Sequence, residues 1–178
     1  MVYKFKPLEL SFDFEDCAYD LGDTIDILVN LTPNGDVSVR EARVDLVCEE
    51  IYSRNQRGIG MGIGGASSIA GGNVFKSTDY VSASTSVDQR RETYIHSTVV
   101  FLNNETLCPG ESLTHRANLQ IQPLPPTHFE EAMDLVRDAD SSWTFKWTLV
   151  ASVNVARGRD QKRQRKVNVK LPPAPGGN

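Results

Sequence analysis

The residues best suited to chemistry form one dense run of positive charge near the end of the chain. Six cations fall within ten residues, with Asp160 as the single acid among them: Arg157, Arg159, Lys162, Arg163, Arg165 and Lys166. The whole chain has a formal net charge of -4, so this positive density is local. A planar guanidinium group pairs bidentately with carboxylate or phosphate oxygens. The run therefore predicts a docking patch for an anion: an acidic or phosphorylated segment of a protein partner, or the head groups of an anionic membrane.

The same run has a second interpretation, as a solvated hairpin tip. It follows a strand-like stretch and contains Gly158, so we expect a turn centred near that glycine. Charge runs are usually solvated, and charges at such a position keep sheet edges from pairing with other chains. Both interpretations stay open at this point.

An acidic cluster near the start of the chain could in principle form a calcium-binding loop. Its members are Asp13, Glu15, Asp16, Asp20 and Asp23. They do not follow the calcium-loop spacing, in which acids precede a turn glycine and a distal glutamate. We therefore expect a solvated acidic loop and no metal.

A glycine-rich stretch, residues 58–72, contains the dinucleotide-binding spacing at Gly60, Gly62 and Gly65. That motif works only when a helix follows directly, because the helix N-terminus holds the pyrophosphate. Gly71 and Gly72 interrupt any such helix, and the flanking residues resemble a β-hairpin. We expect a mobile loop that binds no nucleotide, and the sequence indicates no cofactor.

The potential nucleophiles and bases are few and scattered along the chain. They are Cys17, Cys48 and Cys108 with His96, His115 and His128. An odd number of distant cysteines is neither a disulfide framework nor a paired zinc signature. Nothing groups a nucleophile with a base and an orienting acid. The sequence predicts no catalytic residues and no enzyme, with Cys48 as a small core side chain and His96 as a packed or surface residue.

The element that must organise these residues is the stretch from Trp143 to Val155. Every odd position in it is apolar, and most even positions are polar. A period of two places the apolar side chains, including Trp143 and Trp147, on one face of a β-strand. An apolar row of this length needs a second layer to cover it, so we expect a two-sheet sandwich.

Similar alternation recurs along the rest of the chain. It predicts strands at 8–14, 24–31, 42–48, 93–102, 113–121 and 167–171, with a further edge strand within 74–86. A capping-box pattern at Thr127 and Glu130 predicts a short helix at 128–138. The expected fold is an all-β, immunoglobulin-like sandwich of seven to nine mostly antiparallel strands with one helix. Residues 1–172 are expected to form one domain, followed by a disordered Pro/Gly tail at 173–178.

Bulk composition limits the functional classes. The chain has 178 residues, of which 39% are hydrophobic and 24% charged, and its pI is about 5.4. This acidic balance argues against a nucleic-acid-binding domain. No apolar run reaches about 18 residues, and none follows Met1 as in a signal peptide. We therefore expect a cytoplasmic protein.

The order of several short motifs resembles an arrestin-like domain, a fold shared with bacterial sporulation-control proteins and retromer cargo subunits. The motifs are the turn at Tyr19–Ile25, the strand at Arg40–Leu46, the Leu-Cys-Pro-Gly-Glu turn at 107–111, the proline-rich loop at 123–127 and the tryptophan strand at 143–149. Together they cover most of the chain. The glycine-rich stretch and the predicted helix depart from the family's pattern, and family members usually carry two such sandwiches.

This resemblance implies a non-catalytic adaptor or scaffold that binds other proteins, with membranes as a further possible setting. Because one fold serves many functions, the implication is an analogy. The alternative is a β-sandwich module that binds a small ligand in an apolar cleft with aromatic walls.

Overall fold

The structure is a computed structural model that describes residues 6–59, 83–125 and 141–172. These residues form eight strands. They are β1 (Leu8–Phe14), β2 (Ala18–Asp20), β3 (Thr24–Pro33), β4 (Val37–Ile59), β5 (Ala83–Leu107), β6 (Leu113–Gln120), β7 (Ser141–Val155) and β8 (Gln161–Lys170). The predicted helix at 128–138, the tail at 173–178 and most of the glycine-rich stretch lie outside the described residues.

The strands form two sheets. One has three strands in the order β1-β3-β6, and the other has five in the order β2-β8-β7-β4-β5. All pairs are antiparallel except β2 with β8. The prediction of an all-β sandwich of two mostly antiparallel sheets is confirmed.

The core lies between β3 and the central strands of the five-stranded sheet. In β3, Ile25, Ile27, Val29 and Leu31 are fully buried. Across from them, β7 buries the row Trp147, Leu149, Ala151 and Val153, as its alternation predicted. Trp143 lies on the same face of β7 but is only half-buried, and its ring centroid lies 5.3 Å from that of Tyr52.

Strands β4 and β5 are much longer than predicted. They pair from Val37 with Leu107 to Ile59 with Ala83, so the stretch expected to include a separate edge strand contributes its residues from Ala83 onward to β5. Towards Ile59 and Ala83, the paired strands carry polar residues on both faces. Their sequence therefore lacks the alternation of apolar and polar residues by which a strand is predicted. The ladder continues because β7 extends the pairing of β4 as far as Arg54.

Two bulges in β5 overturn the faces predicted for that strand. Strict alternation along the strand predicted at 93–102 would place Ile95 on one face with Val99 and Phe101. In the structure the register against β4 shifts twice, leaving His96 and Phe101 as extra residues. Each shift changes which side chains point inward. His96 is therefore buried, while Ile95 is 54% exposed.

Strand β8 also begins earlier than predicted. The cationic run was expected to form a hairpin tip, with the last strand starting at Val167. The turn is in fact confined to 156–160, and the strand begins at Gln161. It begins early because β7 offers a full ladder of partners, from Val153 with Gln161 to Trp147 with Val167.

Candidate binding surface on strand β8

The structure divides the six predicted cations among three positions. Arg157 and Arg159 lie in the turn before β8. Within β8, Arg163 and Arg165 share a strand face with the buried Val167, whereas the two lysines, Lys162 and Lys166, point to the opposite, outer face. All six are exposed, because this end of β8 reaches the sandwich edge.

The single acidic side chain of the turn forms a hydrogen bond with the backbone. Asp160 accepts a hydrogen bond from the backbone N–H of Val155 through Oδ1, at 3.2 Å. A Cβ atom added at Gly158 would lie 3.2 Å from Cγ1 of Val155, so the glycine allows a close approach there. The side-chain amide of Gln161 donates to the carbonyl of Arg159 at 2.9 Å. These contacts fix the backbone that presents Arg157 and Arg159.

Arg165 differs from the other cations because it joins the two sheets. Its Nη1 lies 2.8 Å from Oδ1 of Asp13 and 3.4 Å from the carbonyl oxygen of Phe12. Its guanidinium carbon also lies 4.8 Å from the ring centroid of Phe14. Arg165 therefore packs β8 against the end of β1.

The other five cations have no carboxylate within ion-pair distance anywhere in the described ranges. Arg163 makes one contact, a donation to the carbonyl of Lys162 at 3.3 Å. Its guanidinium group keeps most of its donors available. The five form what we call the basic surface: Arg157, Arg159, Lys162, Arg163 and Lys166.

The backbone beside the basic surface is a partly open sheet edge. β8 pairs with β2 only at 168–170. Among the described residues, no strand pairs with 161–167 on that side. Such an edge can accept an extended peptide as an added strand, and cations on it also discourage accidental pairing. Both interpretations of the cationic run thus remain physically reasonable.

A polar groove lies beside the basic surface, on the outer face of the five-stranded sheet. It encloses about 150 Å³, and Glu41, Arg43, Asp45, Ser152 and Lys162 are among the residues that line it. Arg43 lies between two carboxylates, 3.2 Å from Glu41 and 3.1 Å from Asp45. The Asp45 side chain is only 8% exposed, and the Thr98 hydroxyl donates to it. Sequence analysis missed this groove, although charges at alternate positions from 41 to 45 indicated one shared strand face.

The residues that could have indicated catalysis lie in packed environments. Cys48 is fully buried, and burial raises the pKa of its thiol to about 11, so it is a poor nucleophile at neutral pH. The hydroxyl of Tyr94 donates to buried Glu50 at 2.8 Å, and burial raises the pKa of Tyr94. These groups stabilise one another inside the fold.

His96 is packed, as expected. Its ring meets Trp147 edge to face with centroids 5.0 Å apart, and Nε2 lies 3.4 Å from the carbonyl oxygen of Gln122. Burial lowers its pKa. Within the described ranges, no three histidine, cysteine or acidic side chains come together as a metal site requires. Nor do those ranges contain a helix long and apolar enough to cross a membrane.

Comparison with known proteins identifies the fold of this chain but does not assign the chain to a family. No protein-family model matches the sequence, and no curated protein matches it significantly. Among solved structures, the chain is similar to Spo0M, a sporulation control protein from Bacillus subtilis, with a TM-score of 0.59 and 11% sequence identity. The match covers 94% of this chain and 51% of Spo0M, so the chain spans about half the length of that protein. At this identity the likeness shows a shared arrestin-like fold alone.

Proposed function

We propose that this domain is a non-catalytic adaptor that binds an acidic or phosphorylated segment of a protein partner through the basic surface. The observation that carries the proposal is a set of five exposed cations, in a protein of net charge -4, without a carboxylate partner in the described ranges. An arrestin-like fold shared with a sporulation control protein supports the same class of function.

The geometry favours the arginines as the principal contacts. Arg157, Arg159 and Arg163 lie at the turn or beside the open edge of β8. A partner segment running along that edge could pair with the free backbone groups and with the guanidinium forks together. Lys162 and Lys166 flank this path on the outer face. Arg165 is left out because Asp13 already occupies it.

The energies of exposed ion pairs indicate how much charge the partner segment must carry. Exposed ion pairs contribute about 0.2–1 kcal/mol each, so three pairs supply at most about 3 kcal/mol. Even millimolar affinity needs about 4 kcal/mol. We therefore expect measurable binding only for a segment dense in acids or phosphates that also adds backbone hydrogen bonds along β8.

The test is a fluorescence-anisotropy titration with labelled peptides in phosphorylated, acidic and neutral forms. We expect salt-sensitive binding of the phosphorylated or acidic peptide to the native domain. Changing Arg157, Arg159 and Arg163 together to serine should abolish it, while the matched control Arg165→Ser should retain it. The proposal fails if neither peptide binds the native domain, or if the triple variant binds as well as the control.

Anionic vesicles provide a second arm of the same test. If the native domain floats with these vesicles but ignores every peptide, the basic surface is a membrane contact. If it binds neither, and the triple variant aggregates faster than native protein, the cations only block edge pairing.

The polar groove favours one alternative, a module that binds a small ligand. Its volume of about 150 Å³ suits only a small molecule, and its mixed charges suit a zwitterion. A nuclear magnetic resonance titration with small zwitterions such as free amino acids would detect shifts at Ser152 and Lys162. Saturable shifts there, lost in Lys162→Ala, would favour this alternative over the adaptor.

A further inference from the structure

The turn between β3 and β4 contains the only asparagine in the sequence that is followed by glycine, Asn34 before Gly35. Asn34 is exposed and lies outside both strands, since β3 ends at Pro33 and β4 begins at Val37. The side-chain amide of an asparagine can be attacked by the backbone nitrogen of the next residue. A glycine at that position has no side chain to hinder the attack, and its backbone is the most free to reach the required geometry.

The other asparagines of the described ranges lack this combination. Each of them lies within a strand and is followed by a residue with a side chain: Asn30, Asn55, Asn103, Asn104, Asn118, Asn154 and Asn168. Strand pairing restrains the backbone around them, and the following side chain hinders the attack. Asn34 is therefore the asparagine in this part of the chain that is most open to deamidation.

Asn34 forms two hydrogen bonds that hold the chain where it enters β1. Its backbone N–H donates to the carbonyl of Pro7, and its side-chain Nδ2 donates to the carbonyl of Lys6, both at 3.0 Å. The β1–β3 ladder starts beside them with the pair of Leu8 and Pro33, and Leu8 is fully buried. The bond to Lys6 is exposed and therefore weak in net terms, so it slows the attack on the amide by no more than about tenfold.

We propose that Asn34 is a site of spontaneous deamidation and that the product loosens the start of β1. The backbone nitrogen of Gly35 forms a bond to Cγ of Asn34, and the bond between Cγ and Nδ2 breaks. The proton of the attacking nitrogen ends on the departing amide nitrogen, which leaves as ammonia. Water then opens the resulting succinimide ring at either carbonyl, giving aspartate or isoaspartate. The reaction consumes only water.

Both products lose the donor that Asn34 offers to Lys6. In the aspartate form, a carboxylate oxygen takes the place of Nδ2 and faces the carbonyl oxygen of Lys6, which is repulsive. Isoaspartate also carries a carboxylate instead of the amide, and it lengthens the backbone of the turn by one carbon. The hold on the chain before Leu8 is weaker in either case.

The loosened residues border a second turn. A Cβ atom added at Gly158 would lie 3.6 Å from Cγ of Pro7, so Pro7 packs beside the turn that precedes β8. A change in the hold on Pro7 should therefore be detectable at Gly158 as well as at the start of β1.

Ageing of the native protein tests the reaction. The protein is incubated at physiological temperature, at neutral and at mildly alkaline pH, and peptide mapping by mass spectrometry follows every asparagine over time. Asn34 should react first, and faster at the higher pH because the attacking nitrogen must lose its proton. Gly35→Ala is the matched control, since Gly35 does not have a positive φ and alanine fits its backbone. There the reaction at Asn34 should be on the order of tenfold slower, because the added Cβ hinders the attack.

The structural consequence is tested with Asn34→Asp, which is one of the two products and needs no ageing. Hydrogen exchange of the backbone amides of Leu8 and Leu10 should be at least about threefold faster than in native protein, while exchange in β6 should be unchanged. The amide resonance of Gly158 should shift. Aged native protein, separated from the unreacted form by ion exchange, should show the same changes.

Two results would overturn the assignment of the site: another asparagine that reacts before Asn34, or equal rates in native protein and Gly35→Ala. Equal exchange at Leu8 and Leu10 in Asn34→Asp and native protein would overturn the loosening of β1. None of these measurements involves a binding partner, so the outcome is independent of the adaptor proposal.

Discussion

At the scale of single residues, Arg163 and Arg165 show how identical side chains on one strand face take different roles. Arg165 has a carboxylate partner in Asp13, which lies 152 positions away in the sequence, whereas Arg163 has none among the described residues. No local pattern carries a contact of that range. The sequence could therefore predict a cationic cluster. It could not predict that Arg165 is the member that forms an ion pair within the fold.

Trp147 is the residue whose loss should most damage the core. It is 4% exposed, and its indole Nε1 has no hydrogen-bond partner among the described residues, so its contribution is apolar packing. Trp147→Ala should lower the free energy of unfolding by about 3–5 kcal/mol. Urea denaturation measures this. Trp147→Phe is the control and should cost clearly less, while an alanine cost below about 1 kcal/mol would contradict the packing.

His96 should make stability depend on pH. Burial favours its neutral form, so its folded pKa lies below the 6.5 of the exposed side chain. The unfolded chain then binds a proton at higher pH than the folded one. This contribution is complete above about pH 6.5 and declines as the pH falls towards the folded pKa. Melting temperatures from pH 7.5 to 5 should fall less steeply for His96→Phe than for the native domain; equal slopes would show that His96 titrates normally.

At the scale of elements, alternation predicted the strands that have one buried and one exposed face. The bounds expected for β1 match those found, and β3, β6 and β7 differ by only a few residues. Strand β2 was missed because three residues in an acidic loop carry no periodic signal. It exists because Ala18–Asp20 meets the end of β8 in the folded molecule.

The candidate site was predictable in composition and not in shape. The density of cations was visible in the sequence, but their division between turn, open edge and outer face depends on where β8 begins. That position is set by pairing with β7, a tertiary contact.

The β4–β5 hairpin should tolerate replacement of the glycine-rich stretch. Ile59 and Ala83 are paired, so the chain leaves and re-enters the hairpin at adjacent positions. Replacing residues 60–82 by Asn-Gly, which suits a two-residue hairpin turn, should change the melting temperature by only a few degrees. A larger fall would show that the segment stabilises the sandwich. Saturable ATP or NAD binding that disappears with the replacement would contradict the prediction of no nucleotide site.

At the scale of the whole molecule, the side-chain contacts between the two sheets show which polar residues hold the sandwich together. On one side Arg165 joins β8 to β1, and on the other His96 contacts the carbonyl of Gln122 just beyond β6. The basic surface lies next to the contact between Arg165 and β1 but does not contribute to it. Among the described residues, the five cations of the basic surface therefore form no ion pair that holds the sheets together.

The most direct test of the adaptor proposal compares what three immobilised forms of the domain capture from its native source: the native domain, the triple variant of Arg157, Arg159 and Arg163 to serine, and Arg165→Ser. Quantitative mass spectrometry identifies the bound proteins. We predict a partner that the native domain and Arg165→Ser retain, that the triple variant loses, and that high salt releases. Capture of the same proteins by the triple variant, in equal amounts, would contradict the assignment of binding to the basic surface.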